Sequence, residues 1–143
     1  MALFPSPEKV IAGRIEKLAR AASVRPDEGT IGRMAGAQSA GNYFDSSVEI
    51  NIDVPGHQQH TTLSRDDIVQ TLMAAHVNGG LTVKFPDISV TVASDGMNAQ
   101  ADVTVEAQAP GDPDLIVQQM RFTLRKIDGK WLITRVQTVR SLS

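Results

Sequence analysis

The chain has 143 residues, 41% of them hydrophobic and 21% charged, and a formal charge of -2. This length suits one domain with a single core, which at this size buries roughly two thirds of the surface its unfolded chain exposes. No apolar run approaches the ~20 residues of a membrane-spanning helix, the charge argues against general nucleic-acid affinity, and the lack of cysteine excludes disulfides, thiolate nucleophiles and thiolate-held metals.

The opening MALFPSPEKV has neither the basic start nor the apolar run of a signal peptide. A leader removed beforehand would leave the same sequence, so the compartment stays open, with cytoplasmic as the default. A helix is predicted next: Ser6 is placed to cap it, Pro7 takes its first position, and Ile11, Ile15, Leu18 and Ala22 form its apolar stripe. PDEGTIGRMAGAQSAGNYF reads as one or two shorter helices in which Gly32, Gly36 and Gly41 cost helical stability but permit close packing.

VEINIDV alternates Val48, Ile50, Ile52 and Val54 with Glu49, Asn51 and Asp53, the pattern of a strand with one buried face. Pro55-Gly56 turns it into HQQHTTL. In LSRDD, Ser64 and Asp67 have the spacing of a capping box for a third helix, with Ile68, Leu72 and Ala75 as its stripe and Gly79-Gly80 as its stop. Strands then follow over Leu81–Val92, Ala99–Ala107, Leu115–Ile127 and Lys130–Arg140, with hairpin signals at Asp95-Gly96 and Asp128-Gly129 and a wider loop at Pro110–Pro113.

Register follows from the turns. A two-residue turn at Asp95-Gly96 sets Val92 opposite Ala99, Val90 opposite Ala101 and Ile88 opposite Val103, while Asp102 opposite Arg121 brings Phe122 beside Ala101. Three strands then share one apolar face. Their other face carries Ser89, Thr91, Gln100, Asp102, Thr104, Arg121, Thr123 and Arg125. Phe85 to Met120 contains no Lys or Arg, whereas Arg121, Arg125, Lys126, Lys130, Arg135 and Arg140 follow it. Adjacent acidic and basic strands neutralising each other explain this better than a basic strip awaiting an acidic partner.

Three helices before a meandering sheet, NYFDSSVEINI ahead of LSRDDIVQTLM, and the ending RFTLRKIDGKWLITRV with its Asp-Gly-Lys-Trp hairpin resemble the nuclear transport factor 2-like superfamily, including the SnoaL-like proteins. The resemblance covers nearly the whole chain. It implies an α+β, cystatin-like cone in which N-terminal helices pack on a strongly curved, mostly antiparallel sheet, as one domain over 1–143. A pocket in the cone and homodimerisation through the sheet are also implied. The superfamily spans isomerases, dehydratases, hydrolases and proteins without known activity, so fold alone does not choose among them. In its ketosteroid isomerase branch a carboxylate base follows a Val-Glu pair, here Val48 and Glu49. This chain has Ile50 at that base position and Met120 near the second acid, neither able to move a proton.

The pocket candidates are Tyr43, His57, Phe85, Met120, Phe122, Trp131, Arg135 and Gln137. His57 shares the parity of Ile52 and Val54, whereas His60, three residues on, faces the other way, so the two do not make a metal pair. His76 is explained by its place late in the third helix. With a two-residue turn at Asp128-Gly129 and no irregularity, Arg135 and Gln137 enter the apolar face, which suggests a carboxylate-bearing ligand. A bulge would instead turn Leu132 and Val136 inward and leave Arg135 in water. The expected function is binding of a small, mostly apolar ligand, or an interaction and dimerisation role, without catalysis. It calls for no cofactor, metal or nucleic acid. The alternative is a cofactor-independent isomerase, dehydratase or hydrolase using some of Tyr43, Asp53, His57 and Arg135.

Overall fold

A computed structural model describes residues 6–23, 30–54, 57–77, 82–108 and 116–139. These form three helices and one six-stranded sheet: α1 (Pro7–Ala22), α2 (Thr30–Gly41), β1 (Phe44–Val54), β2 (His57–Ser64), α3 (Arg65–Val77), β3 (Thr82–Val92), β4 (Asn98–Gln108), β5 (Ile116–Ile127) and β6 (Lys130–Thr138). The strand order is β2-β1-β6-β5-β4-β3. Every neighbouring pair is antiparallel except β1 and β6. This is the expected α+β architecture, with the final hairpin carried to the centre of the sheet by the parallel β1–β6 pairing.

α1 and α3 begin where the sequence provides a partner for free N–H groups. The Ser6 hydroxyl accepts from Lys9 N, and Ile11, Ile15, Leu18 and Ala19 make the buried stripe of α1, Ala19 standing where Ala22 was expected. At α3 the capping is reciprocal: Asp67 N donates to Ser64 Oγ at 3.1 Å, and Ser64 N to the Asp67 carboxylate at 3.1 Å. α2 is one helix rather than two. Gly36 and Gly41 are packing positions, since a Cβ on Gly36 would stand 3.1 Å from the Ala21 carbonyl and one on Gly41 only 2.5 Å from Val69 Cγ2. The end of α3 at Gly79-Gly80 and the loop at Pro110–Pro113 lie outside the described residues.

The ladder matches the predicted register across β3, β4 and β5, including Asp102 opposite Arg121, whose charges meet at 2.8 Å. The Asp95-Gly96 turn is wider than two residues. Ala93 N donates to Asn98 O and Gly96 N to Ala93 O, yet the longer loop preserves the same pairing. Asp128 and Gly129 both have positive φ, 51° and 80°, as a tight hairpin turn requires. Irregularities interrupt β1–β6, β3–β4 and β5–β6. Such bulges bend a sheet, here around α1. Ile11, Ile15 and Leu18 join Val48, Ala101, Val103, Phe122, Leu124 and Ile133 in one core. At the far end of α1, the Ser23 hydroxyl accepts from Val83 N at 2.9 Å and ties the helix to β3.

Candidate functional site

The inner face of the sheet concentrates apolar side chains at two positions. Near β3, the irregularity between Lys84 and Asp87 lies at Phe85 and Pro86, and proline is tolerated there because β3 is an edge strand. Phe85 is half-buried and meets Phe122 edge to face, with ring centroids 5.9 Å apart and planes at 69°. Met120 lies two residues along β5 on the same face. Around it Ile50, Ile88, Val90, Val105 and Val136 are also only partly buried. The second position is beneath α1, where Trp131 is 4% exposed against Ile15, Leu18, Leu124 and Ile133. The space between these side chains admits no water molecule, so Trp131 is packing rather than an open wall.

The inward reading of Arg135 and Gln137 is corrected. The hairpin does turn at Asp128-Gly129, but Leu124 pairs with Ile133 while Thr123 pairs with Arg135, leaving Thr134 as an extra residue. That bulge resets the parity of β6. Val136 then lies opposite Phe122 on the inner face, and Arg135 and Gln137 lie opposite the outward Thr123 and Arg121. The Arg135 guanidinium is exposed and bonds the Glu49 carboxylate across β1–β6. Both readings of the hairpin hold in part, because turn and bulge coexist.

The residues suggested for catalysis are likewise dispersed. Tyr43 precedes β1, while Asp53 lies near its other end, roughly 30 Å away at about 3.3 Å per residue. Asp53 accepts from the Gln58 side chain, and its own N–H donates to Thr138 Oγ1. His57 occupies the position opposite Val54, although its side chain lies outside the described atoms, as does that of His76. His60 is exposed, its ring 3.1 Å from the Asn51 side-chain oxygen. Ile50 and Met120, expected to stand in place of acids, are partly buried against the apolar core. Among the described residues, no group of three or more His, Cys, Asp or Glu side chains could hold a metal.

One cluster escaped prediction. A cleft of about 410 Å³ is lined by Arg14 from α1, Ser39, Asn42 and Tyr43 from the end of α2 and the residues after it, Arg65 from the start of α3, and Lys130 and Leu132 from β6. Arg14 Nε donates to the Trp131 carbonyl at 2.9 Å, and its guanidinium lies 4.8 Å from the centre of the Tyr43 ring. Burial disfavours the charged form of Arg14, and Tyr43 opposes that shift. Arg65 Nε donates to the Phe44 carbonyl at 3.1 Å. Leu132, expected inward beside Val136, instead lies opposite the outward Arg125; it is buried and contributes to this cleft. In the sequence Arg14 only borders the α1 stripe, between Ile11 and Ile15, and no local pattern links it to Arg65 or Lys130.

No protein-family model matches the chain, and no curated protein matches it in sequence. Solved structures match closely in shape. A nuclear transport factor 2-like protein of unknown function from Pseudomonas putida KT2440 superposes with a TM-score of 0.64 at 13% identity, covering 95% of this chain and 87% of that one. A provisionally named calcium/calmodulin dependent protein kinase II association domain from Xanthomonas campestris gives 0.64 at 15% identity, covering 100% and 94%. A provisionally named scytalone dehydratase from Novosphingobium aromaticivorans gives 0.60 at 18% identity, covering 92% and 87%. With the sheet order and helix placement above, these likenesses define the chain as a nuclear transport factor 2-like, cystatin-like fold. That fold serves proteins of differing function and does not select one of them.

Proposed function

We propose that the chain is a non-catalytic binding domain whose cup takes a small, mostly apolar molecule, and that it works as a homodimer joined through the outer face of the sheet. The supporting observation is that Ile50, Phe85, Ile88, Val90, Met120 and Val136 pack against the core but are only partly buried. Covering such a surface gains roughly 25 cal/mol per Å² removed from water, which favours an apolar occupant. Ile50 and Met120 supply no proton donor or acceptor, and this weighs against proton transfer. A cofactor-independent isomerase, dehydratase or hydrolase is the alternative, supported by the shared fold with the provisionally named scytalone dehydratase.

The reading is tested by binding an environment-sensitive apolar dye to the full chain and to Met120→Trp, which fills the cup. Saturable binding by the wild type that is lost in a folded Met120→Trp chain is expected. No binding by the wild type would contradict the proposal. Light scattering tests the dimer, for which a mass of twice 15.4 kDa is expected.

A further inference from the structure

The cup does not account for the cationic cleft beside Tyr43. We propose that this cleft binds a small organic dianion, a dicarboxylate or a phosphate monoester, through Arg14, Arg65 and Lys130.

Three like charges from α1, α3 and β6 converge on one depression, an arrangement that repels itself unless an anion joins it. The chain treats its other central arginines differently: Arg121 and Arg135 each meet a carboxylate on the sheet. Among the described residues no carboxylate lies within ion-pair distance of Arg14, Arg65 or Lys130, and the cleft has no acidic lining residue.

The two guanidinium groups are also held in place. Each spends its Nε on a backbone carbonyl, Trp131 for Arg14 and Phe44 for Arg65. Among the described residues their terminal nitrogens make no hydrogen bond, and these are the donors that grip a carboxylate or phosphate in a two-pronged fashion. Stacking on Tyr43 further fixes Arg14, so little side-chain freedom remains to be lost on binding. Ser39, Asn42 and Tyr43 add neutral hydrogen-bonding groups, and about 410 Å³ is within the range of small-molecule sites. The bland alternative is three solvated surface cations, which predicts weak, unsaturable association.

The test titrates the full chain with sodium phosphate and, separately, with sodium succinate, using succinamide as the uncharged match of succinate. Calorimetry and the amide NMR signals of Asn42 and Lys130 provide the readouts. Saturable binding of at least one dianion, weakened by added salt and absent for succinamide, is expected. Phosphate alone would identify a phosphate site, succinate alone a dicarboxylate site, and both a site that reads charge.

Lys130→Gln is the decisive variant, because Lys130 is exposed and its loss leaves the core intact. It should weaken affinity roughly tenfold, the effect of one charge-assisted hydrogen bond, and Arg65→Gln should do the same. Lack of saturable binding up to about 10 mM of either dianion, equal binding of succinamide, or unchanged affinity in both variants would overturn the proposal. Dye binding in the cup reports on different residues, so either reading can fail alone.

Discussion

Replacing Phe122 by alanine tests the placement of the apolar face. Phe122 is 5% exposed, its ladder neighbours are Ala101 and Val136, and Phe85 meets its ring edge to face. Ala101 is fully buried and its backbone is held between β3 and β5, so it cannot move to fill the space. The cost should therefore approach the upper part of the roughly 3–5 kcal/mol typical of removing a core phenylalanine. For a domain of this length that is a fall in Tm of roughly 8 to 20 °C. Urea denaturation should show a lower midpoint at an unchanged m-value. Phe85→Ala, at a half-buried ring, should cost less, and the double variant should reveal a coupling of about 0.5–1.5 kcal/mol from the ring pair. Thr123→Ala, one residue away on the outer face, should stay within about 0.5 kcal/mol of the wild type. A cost below about 1 kcal/mol for Phe122→Ala, or a larger one for Thr123→Ala, would refute the face assignment.

Two glycines should respond with opposite signs. Gly41→Ala places a Cβ against Val69 and should destabilise by about 1–3 kcal/mol, whereas Gly13→Ala meets nothing within 4 Å and should stabilise α1 by roughly 0.5–1 kcal/mol, both read from urea midpoints. Asp95 should titrate below the ordinary aspartate value of 3.8, held down first by the Met97 backbone N–H and then by the Asn98 side chain. Because its folded pKa is depressed, its contribution to the hairpin is present above the unfolded value and lost as pH falls through the folded one. Carboxyl NMR titration measures the midpoint, and a value at or above 3.8 would contradict the hydrogen-bonded turn.

The sheet was legible wherever short-range chemistry and alternation agreed. Asp102 and Arg121 fixed one register by charge, and Ala99, Ala101 and Val103 fixed the next by burial. In β6 the two signals conflicted: a tight Asp128-Gly129 turn with no irregularity put Arg135 and Gln137 inward, while the hydrophobic pattern asked for Leu132 and Val136 there. An extra residue at Thr134 keeps the turn and brings Val136 inward but leaves Leu132 opposite the outward Arg125, and nothing in a threonine announces that role. The parallel pairing of β1 with β6 joins segments about 90 residues apart, beyond the reach of local patterns. For the same reason the Arg14, Arg65 and Lys130 cleft was invisible, since each residue has an ordinary explanation in its own segment: helix flank, capping sequence and hairpin.

Methyl NMR during titration with an apolar ligand gives the most direct view of the cup. Ile50, Met120 and Val136 should shift together and saturate, while Met97 and Val117, exposed on the surface, stay still. Shifts confined to Met97 and Val117, or none at all, would mean that the inner face receives no ligand.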